Sequence, residues 1–172
     1  VGSITRTQSQ TLAAGASTTV TFADVDTGAL GPGSYTHEIA STNDSESGSL
    51  TVEAPPNFQV SNLAPASTTV TNGTTVGISA DIQNTGDQQG TQTVTLSVGP
   101  ATQTQTVTLA GGASTTVSFS LDTGALGPGT YTTEIASAND SESGSLTVEA
   151  PANFQVSNLT PASVTVTEGA TV

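Results

Sequence analysis

Apolar and polar residues alternate along this chain with a period of two. Val76, Ile78, Ala80 and Ile82 form one such run, and Val94, Leu96 and Val98 form another. The pattern continues through Val107 and Leu109, then Val117, Phe119 and Leu121, then Tyr131, Thr133 and Ile135, and finally Leu146 and Val148. The positions between them are mostly Thr, Ser and Gln. Successive side chains of a β-strand point to opposite faces, so this alternation predicts strands with one face buried and one wet. The abundance of β-branched residues agrees. No window carries apolar residues three and four apart among good helix formers, so the chain is expected to be all-β. Turn signals separate the runs: Asn72-Gly73, Asn84-Thr85-Gly86-Asp87, Gly99-Pro100, Gly111-Gly112, Gly127-Pro128-Gly129 and Asn139-Asp140. Together they predict strands at 58–63, 68–83 in two pieces, 91–98, 103–109, 115–121, 130–138 and 144–149. That is a β-sandwich of about seven strands.

The pattern also repeats on a larger scale. Residues 11–53 return as 108–149, and residues 57–76 return as 153–172. The offset is 97 residues up to Val117 and 96 from Asp122, so one residue is lost near Asp24. Only 77–97 occurs once. A unit of about 96 residues has the size of a domain, and near-identical copies mark a module duplicated to build length. The organisation expected is tandem modules. Residues 57–149 form a complete module, 1–53 the C-terminal part of another, and 153–172 the N-terminal strands of a further one. Ala54-Pro55-Pro56 and Ala150-Pro151-Ala152 serve as short linkers, stiffened by proline. Each part-module would expose an unpaired sheet edge and an apolar face, which soluble proteins avoid. Contacts between modules should therefore centre on Phe154, Val156 and Leu159 at the tail, and on Val20, Phe22, Ile39, Leu50 and Val52 at the head. Either a covalent array continues the chain, or the tail of one subunit adds as strands to the head of the next.

Composition narrows the setting. Fourteen Asp and Glu face a single basic residue, Arg6, for a formal charge of −13. Nucleic acid and anionic membranes are poor partners, because binding them needs Lys and Arg to displace counterions, and no nucleic acid is expected. No apolar run is long enough to span a membrane. The exchange of Lys for carboxylates resembles proteins of extreme halophiles, haloarchaea above all. At molar salt the Debye length is only ~3 Å, so like charges barely repel. Cys, Met and Trp are absent, which leaves no disulfide and a core built from Val, Leu, Ile and four Phe.

One motif stands out in both repeats: Leu30-Gly31-Pro32-Gly33-Ser34-Tyr35 and Leu126-Gly127-Pro128-Gly129-Thr130-Tyr131. It resembles the tyrosine corner of immunoglobulin-like sandwiches, where a Tyr hydrogen-bonds back to the preceding loop. Tyr35 and Tyr131, with Pro32 and Pro128, are therefore read as structural. Further motifs are Phe-x-Val-Ser-Asn-Leu, then Pro-Ala-Ser-x-x-Val-Thr, then a strand ending in Asn84-Thr85-Gly86-Asp87. With Leu-Ala-Gly-Gly-Ala-Ser-Thr-Thr-Val-Ser-Phe and the Leu-Gly-Pro-Gly-Thr-Tyr that follows, they resemble the CARDB family. The resemblance covers 57–149 and both flanking part-modules. It implies immunoglobulin-like modules that serve as spacers, stalks and adhesion elements of secreted proteins.

Candidate chemistry is sparse. His37 is the sole histidine, and Thr133 stands in its place in the other repeat, so no activity is expected of it. Zinc sites lack ligands, and the paired carboxylates have no aromatic platform for a sugar. No enzyme activity and no cofactor are expected. Asn43-Asp44-Ser45-Glu46 and Asn139-Asp140-Ser141-Glu142 leave two readings open. One is a weak calcium turn built on Asp44 and Glu46, or on Asp140 and Glu142. The other is a solvated hairpin carrying surface charge. Sequons at Asn43, Asn72, Asn139 and Asn158 are candidate glycosylation sites. The function expected is that of a structural repeat in an extracellular or cell-surface filament whose main partner is itself. The alternatives are an adhesin or stalk module contacting surface glycans or a surface layer, and a spacer in a larger secreted protein.

Overall fold

The computed structural model describes residues 1–23, 25–160 and 162–169. Asp24, beside which the two repeats lose register, and part of the strands expected over 153–172 lie outside the described residues. Among the described residues two strands precede the first linker, β1 (Gly33–Ala40) and β2 (Ser45–Val52). Eight follow it: β3 (Phe58–Ala64), β4 (Ser67–Thr71), β5 (Thr75–Asn84), β6 (Gly90–Val98), β7 (Ala101–Leu109), β8 (Ser114–Asp122), β9 (Gly129–Ala136) and β10 (Ser141–Glu149). A single 3-10 turn, Thr123–Ala125, separates β8 from β9.

Residues 58–149 form an immunoglobulin-like β-sandwich. One sheet has the order β4-β10-β9-β6-β7 and the other β3-β5-β8. All neighbours are antiparallel except β4, which runs parallel to β10. The stretch 68–83 holds two strands, as its two expected pieces, and they belong to different sheets. The turn at Asn72-Gly73 carries the chain from one sheet to the other. Alternation then does what it predicts. Ile78, Ala80 and Ile82 of β5, Val94, Leu96 and Val98 of β6, Val117 and Phe119 of β8, and Leu146 and Val148 of β10 all face inward and are buried. Phe58 of β3 completes that core from the edge and is itself wholly buried.

Two buried polar residues hold the ends of the sandwich together. Asn84 occupies the next inward position after Ile82 and is fully buried. Its Oδ1 accepts from the backbone N–H of Asn57 at 3.0 Å and Gly86 at 3.1 Å. Its Nδ2 donates to the Gln88 carbonyl at 2.8 Å and the Leu109 carbonyl at 3.2 Å. Thr123, also fully buried, donates to the Thr74 carbonyl at 2.9 Å and accepts from Gly73 N–H at 3.1 Å. The linker 54–56 is bound to the module that follows it. Ala54 N–H donates to the Asp87 carboxylate at 2.8 Å, and Asp87 N–H returns a bond to the Ala54 carbonyl at 3.1 Å.

The described residues of 1–53 and 150–169 are organised differently from their counterparts, although the sequences nearly match. The hairpin β1–β2 repeats β9–β10 in register: Tyr35 opposes Leu50 as Tyr131 opposes Leu146. Residues 17–23 form no strand, whereas their counterparts form β8. The reason is pairing. β8 is held by β5, and among the described residues no strand lies beside 17–23. Residues 153–160 likewise form no strand, where their counterparts form β3 against β5.

Candidate strand-acceptor site

The turn between β9 and β10 is built by Ser137. Its Oγ accepts from Asn139 N–H at 3.2 Å and Asp140 N–H at 3.1 Å, and the backbone closes through Ser137 N–H to the Asp140 carbonyl at 2.8 Å. That fixes the next side chains against β3, one of the two edge strands of the smaller sheet. Asn139 Oδ1 accepts from Phe58 N–H at 3.1 Å, Asp140 Oδ2 from Val60 N–H at 3.0 Å and Glu142 Oε2 from Leu63 N–H at 2.9 Å. Ser137 Oγ also donates to the Phe58 carbonyl at 2.7 Å. Gln92 braces the turn, accepting from Ala138 N–H at 3.0 Å and donating to Asn139 Oδ1 at 2.5 Å. Edge strands expose unpaired backbone donors. Here three side-chain oxygens in a row accept those donors, two of them from carboxylates, which make the stronger bonds. The reading of this turn as merely solvated is thus corrected. As to calcium, Asp140 and Glu142 each commit an oxygen to β3. Among the described residues no group of three or more His, Cys, Asp or Glu is placed to hold a metal ion.

The same turn exists in the head without its strand. Ser41 Oγ accepts from Asn43 N–H at 3.3 Å and Asp44 N–H at 3.1 Å, and Ser41 N–H reaches the Asp44 carbonyl at 2.8 Å. Asp44 Oδ1 meets only its neighbour, Ser45 N–H, at 2.9 Å, and Asn43 and Glu46 side chains make no hydrogen bond among the described residues. The residues expected to form the intermodule contact are open. Ile39 is 55% exposed, against 0% for its counterpart Ile135. Val20, Phe22, Leu50 and Val52 are only half-buried. At the tail, Phe154 is 93%, Val156 97% and Leu159 75% exposed, whereas Phe58, Val60 and Leu63 are buried. An open cavity of about 330 Å³ lies in the head, lined by Val1, Ile4, Phe22, Val25, Ile39 and Leu50 among others.

The remaining sequence candidates separate. Tyr131 Oη donates to the Leu126 carbonyl and to the Gly127 carbonyl at 3.2 Å, and Tyr35 Oη does the same to Leu30 and, at 3.3 Å, Gly31. The loops bend at Gly31 and Gly127, with φ of 65° and 69° that a side chain would resist, just before Pro32 and Pro128. Of the sequon asparagines, Asn72 donates through Nδ2 to the Thr123 carbonyl at 2.8 Å and Asn139 is engaged as above. Asn43 and Asn158 are exposed. Sequence reasoning missed Asn84, Thr123, Ser137 and Gln92. Only Asn84 left a signal, as the last inward position of the β5 alternation. The others depend on partners distant in sequence.

A buried sandwich core of this topology defines an immunoglobulin-like β-sandwich module. The CARDB family model matches residues 55–150, and the chain belongs to the CARDB family. Among solved structures it is similar to the CARDB domain of a Pyrococcus furiosus protein in complex with di-metal ions, at 11% identity and a TM-score of 0.45, over 56% of this chain and 94% of that one. It is similar at 16% identity and a TM-score of 0.46 to a β-glucosidase from Listeria innocua, over 57% of this chain and 16% of that one. A Pseudomonas fluorescens alkylpurine DNA glycosylase bound to DNA with an abasic site analog matches at 13% identity and a TM-score of 0.46, over 55% and 31%. The chain thus spans less than a fifth of the β-glucosidase. No curated protein is significantly similar to it.

Proposed function

We propose that the chain is a structural repeat of an extracellular fibre in which immunoglobulin-like modules join head to tail. The observation that carries this reading is the duplicated hairpin. β9–β10 and β1–β2 share sequence, register and turn hydrogen bonds, and nothing catalytic is duplicated with them. The one histidine, His37, has Thr133 as its counterpart, a residue buried in the module core. Such a protein extends and holds together without turnover. The −13 charge fits a surface exposed to concentrated salt, where self-repulsion is screened. Electron microscopy of the native protein in multimolar salt tests the reading. Regular unbranched fibres are the expected result. Dispersed particles that bind immobilised glycans or a surface-layer preparation would replace it with the adhesin reading.

A further inference from the structure

We propose that the β1–β2 hairpin accepts residues 154–160 and 162–167 of a second copy of this chain. The first part of that segment would seat on the 41–46 turn, and the second would add as a parallel strand along the free edge of β2. The inference rests on the fibre reading and specifies its joint.

Every contact has a counterpart already formed inside the complete module. There, Asn139, Asp140 and Glu142 receive the N–H groups of Phe58, Val60 and Leu63. The matching residues are Asn43, Asp44 and Glu46 on the head, and Phe154, Val156 and Leu159 on the tail. Next, β4 pairs in parallel with β10, Ser67 opposite Ser145 and Val70 opposite Val148, with Ser145 N–H donating to the Ala66 carbonyl at 3.0 Å. The matching pairs are Ser163 with Ser49 and Val166 with Val52, with Ser49 N–H to the Ala162 carbonyl. On the head, β2 pairs with β1 along one edge, and among the described residues no strand lies along the other. None of these contacts is made by β5 or β6 itself, although in the complete module Gln92 of β6 braces Asn139 and β5 pairs with β3.

Receptor and ligand are each prepared for the union. The turn at Ser41 is already closed by the bonds that close its counterpart, so its backbone needs no ordering before the strand arrives and only the Asn43, Asp44 and Glu46 side chains have to turn to it. The tail presents Phe154, Val156 and Leu159 to water, and the head presents a cavity beside Ile39 and Leu50 to receive them. One side chain must move. A Cβ on Gly48 would stand 2.6 Å from His37 Nε2, whereas over its counterpart Gly144 the same space holds the Ala66 carbonyl oxygen at 2.3 Å. The His37 ring therefore swings out on docking. The joint is heterologous, tail to head, and propagates without closing.

The test uses the 172-residue chain and two variants altered outside the complete module. One carries Val156→Pro and Val164→Asp, which blocks the donor. The other carries Asp44→Ala, Glu46→Ala and Ser49→Pro, which blocks the acceptor. An unchanged thermal transition of the central module shows that both variants fold. In analytical ultracentrifugation at multimolar NaCl and rising concentration, the wild type should form a ladder at multiples of 16.9 kDa. Each variant alone should stay at one chain mass, and an equimolar mixture should stop at two. A wild type that remains monomeric, open or closed on itself, overturns the proposal, as do variants that polymerise like the wild type or a mixture that stays at one mass. A monomeric wild type leaves the fibre reading standing if native fibres prove to be covalent arrays far above 16.9 kDa by denaturing mass. The absence of native fibres removes that reading instead.

Discussion

Single side chains in this molecule mostly tie loops to strands. Tyr131 anchors the 126–128 loop through its hydroxyl. Tyr131→Phe should therefore lower the stability of the central module by about 1–2 kcal/mol, the worth of a hydrogen bond lost with its acceptor left behind. The melting temperature of the chain reads this directly. Asn84→Ala should cost more, about 2–4 kcal/mol, because several buried backbone groups lose their partner together. On the outer face, Thr116 Oγ1 donates to Asp81 at 2.6 Å and Asn62 Nδ2 at 3.0 Å, and these bonds hold the carboxyl below its usual range. A depressed folded value favours the native state above the ordinary carboxylate range, and that gain fades as pH falls through the folded value. Thr116→Val should raise the Asp81 midpoint toward the ordinary value in an NMR titration. No movement of the midpoint would show that the Thr116 bond does not set it.

At the scale of elements, the edge of β3 is the feature to test. Its backbone donors face side-chain oxygens from one turn rather than a neighbouring strand. Glu142→Ala leaves the Leu63 N–H without its acceptor, so a loss of about 1–2 kcal/mol is expected. Glu46→Ala, at the counterpart position, should leave the melt of the central module unchanged. Equal effects from both changes would refute the assignment of the turn as an edge closure. The hairpins themselves need no such help. Their pairing is local, and β1–β2 keeps the register of β9–β10 although the rest of its module differs.

Charge acts at the scale of the whole molecule. With −13 formal charge and one Arg, no network of ion pairs can offset self-repulsion. Salt would screen it, since the Debye length falls from ~30 Å at 0.01 M to ~3 Å at 1 M. The thermal midpoint followed by circular dichroism should rise steadily from millimolar to multimolar NaCl. A midpoint that does not change across that range would dismiss the dependence on salt. Association of copies should rise with salt for the same reason, since each partner carries the same sign.

What the sequence determined was local. Period-two alternation set the strand class and which face of each strand is inward, because side-chain direction in a strand follows from backbone geometry alone. The Leu-Gly-Pro-Gly-x-Tyr loops and the Asn-Asp hairpin turn were readable for the same reason, and the bonds that close each of them recur in both repeats. Tertiary structure decided the rest, and the repeats show how. Phe58 and Phe154 lie in the same local sequence, yet one is buried in a strand and the other stands in water. Val117 and Val20 differ likewise, one in β8 and one in no strand. The role of the Asn-Asp-x-Glu turn also escaped the sequence, because its ligands are backbone N–H groups about 80 residues away. A strand keeps its form only where a neighbour satisfies its backbone and covers its apolar face, and that neighbour is supplied by the fold.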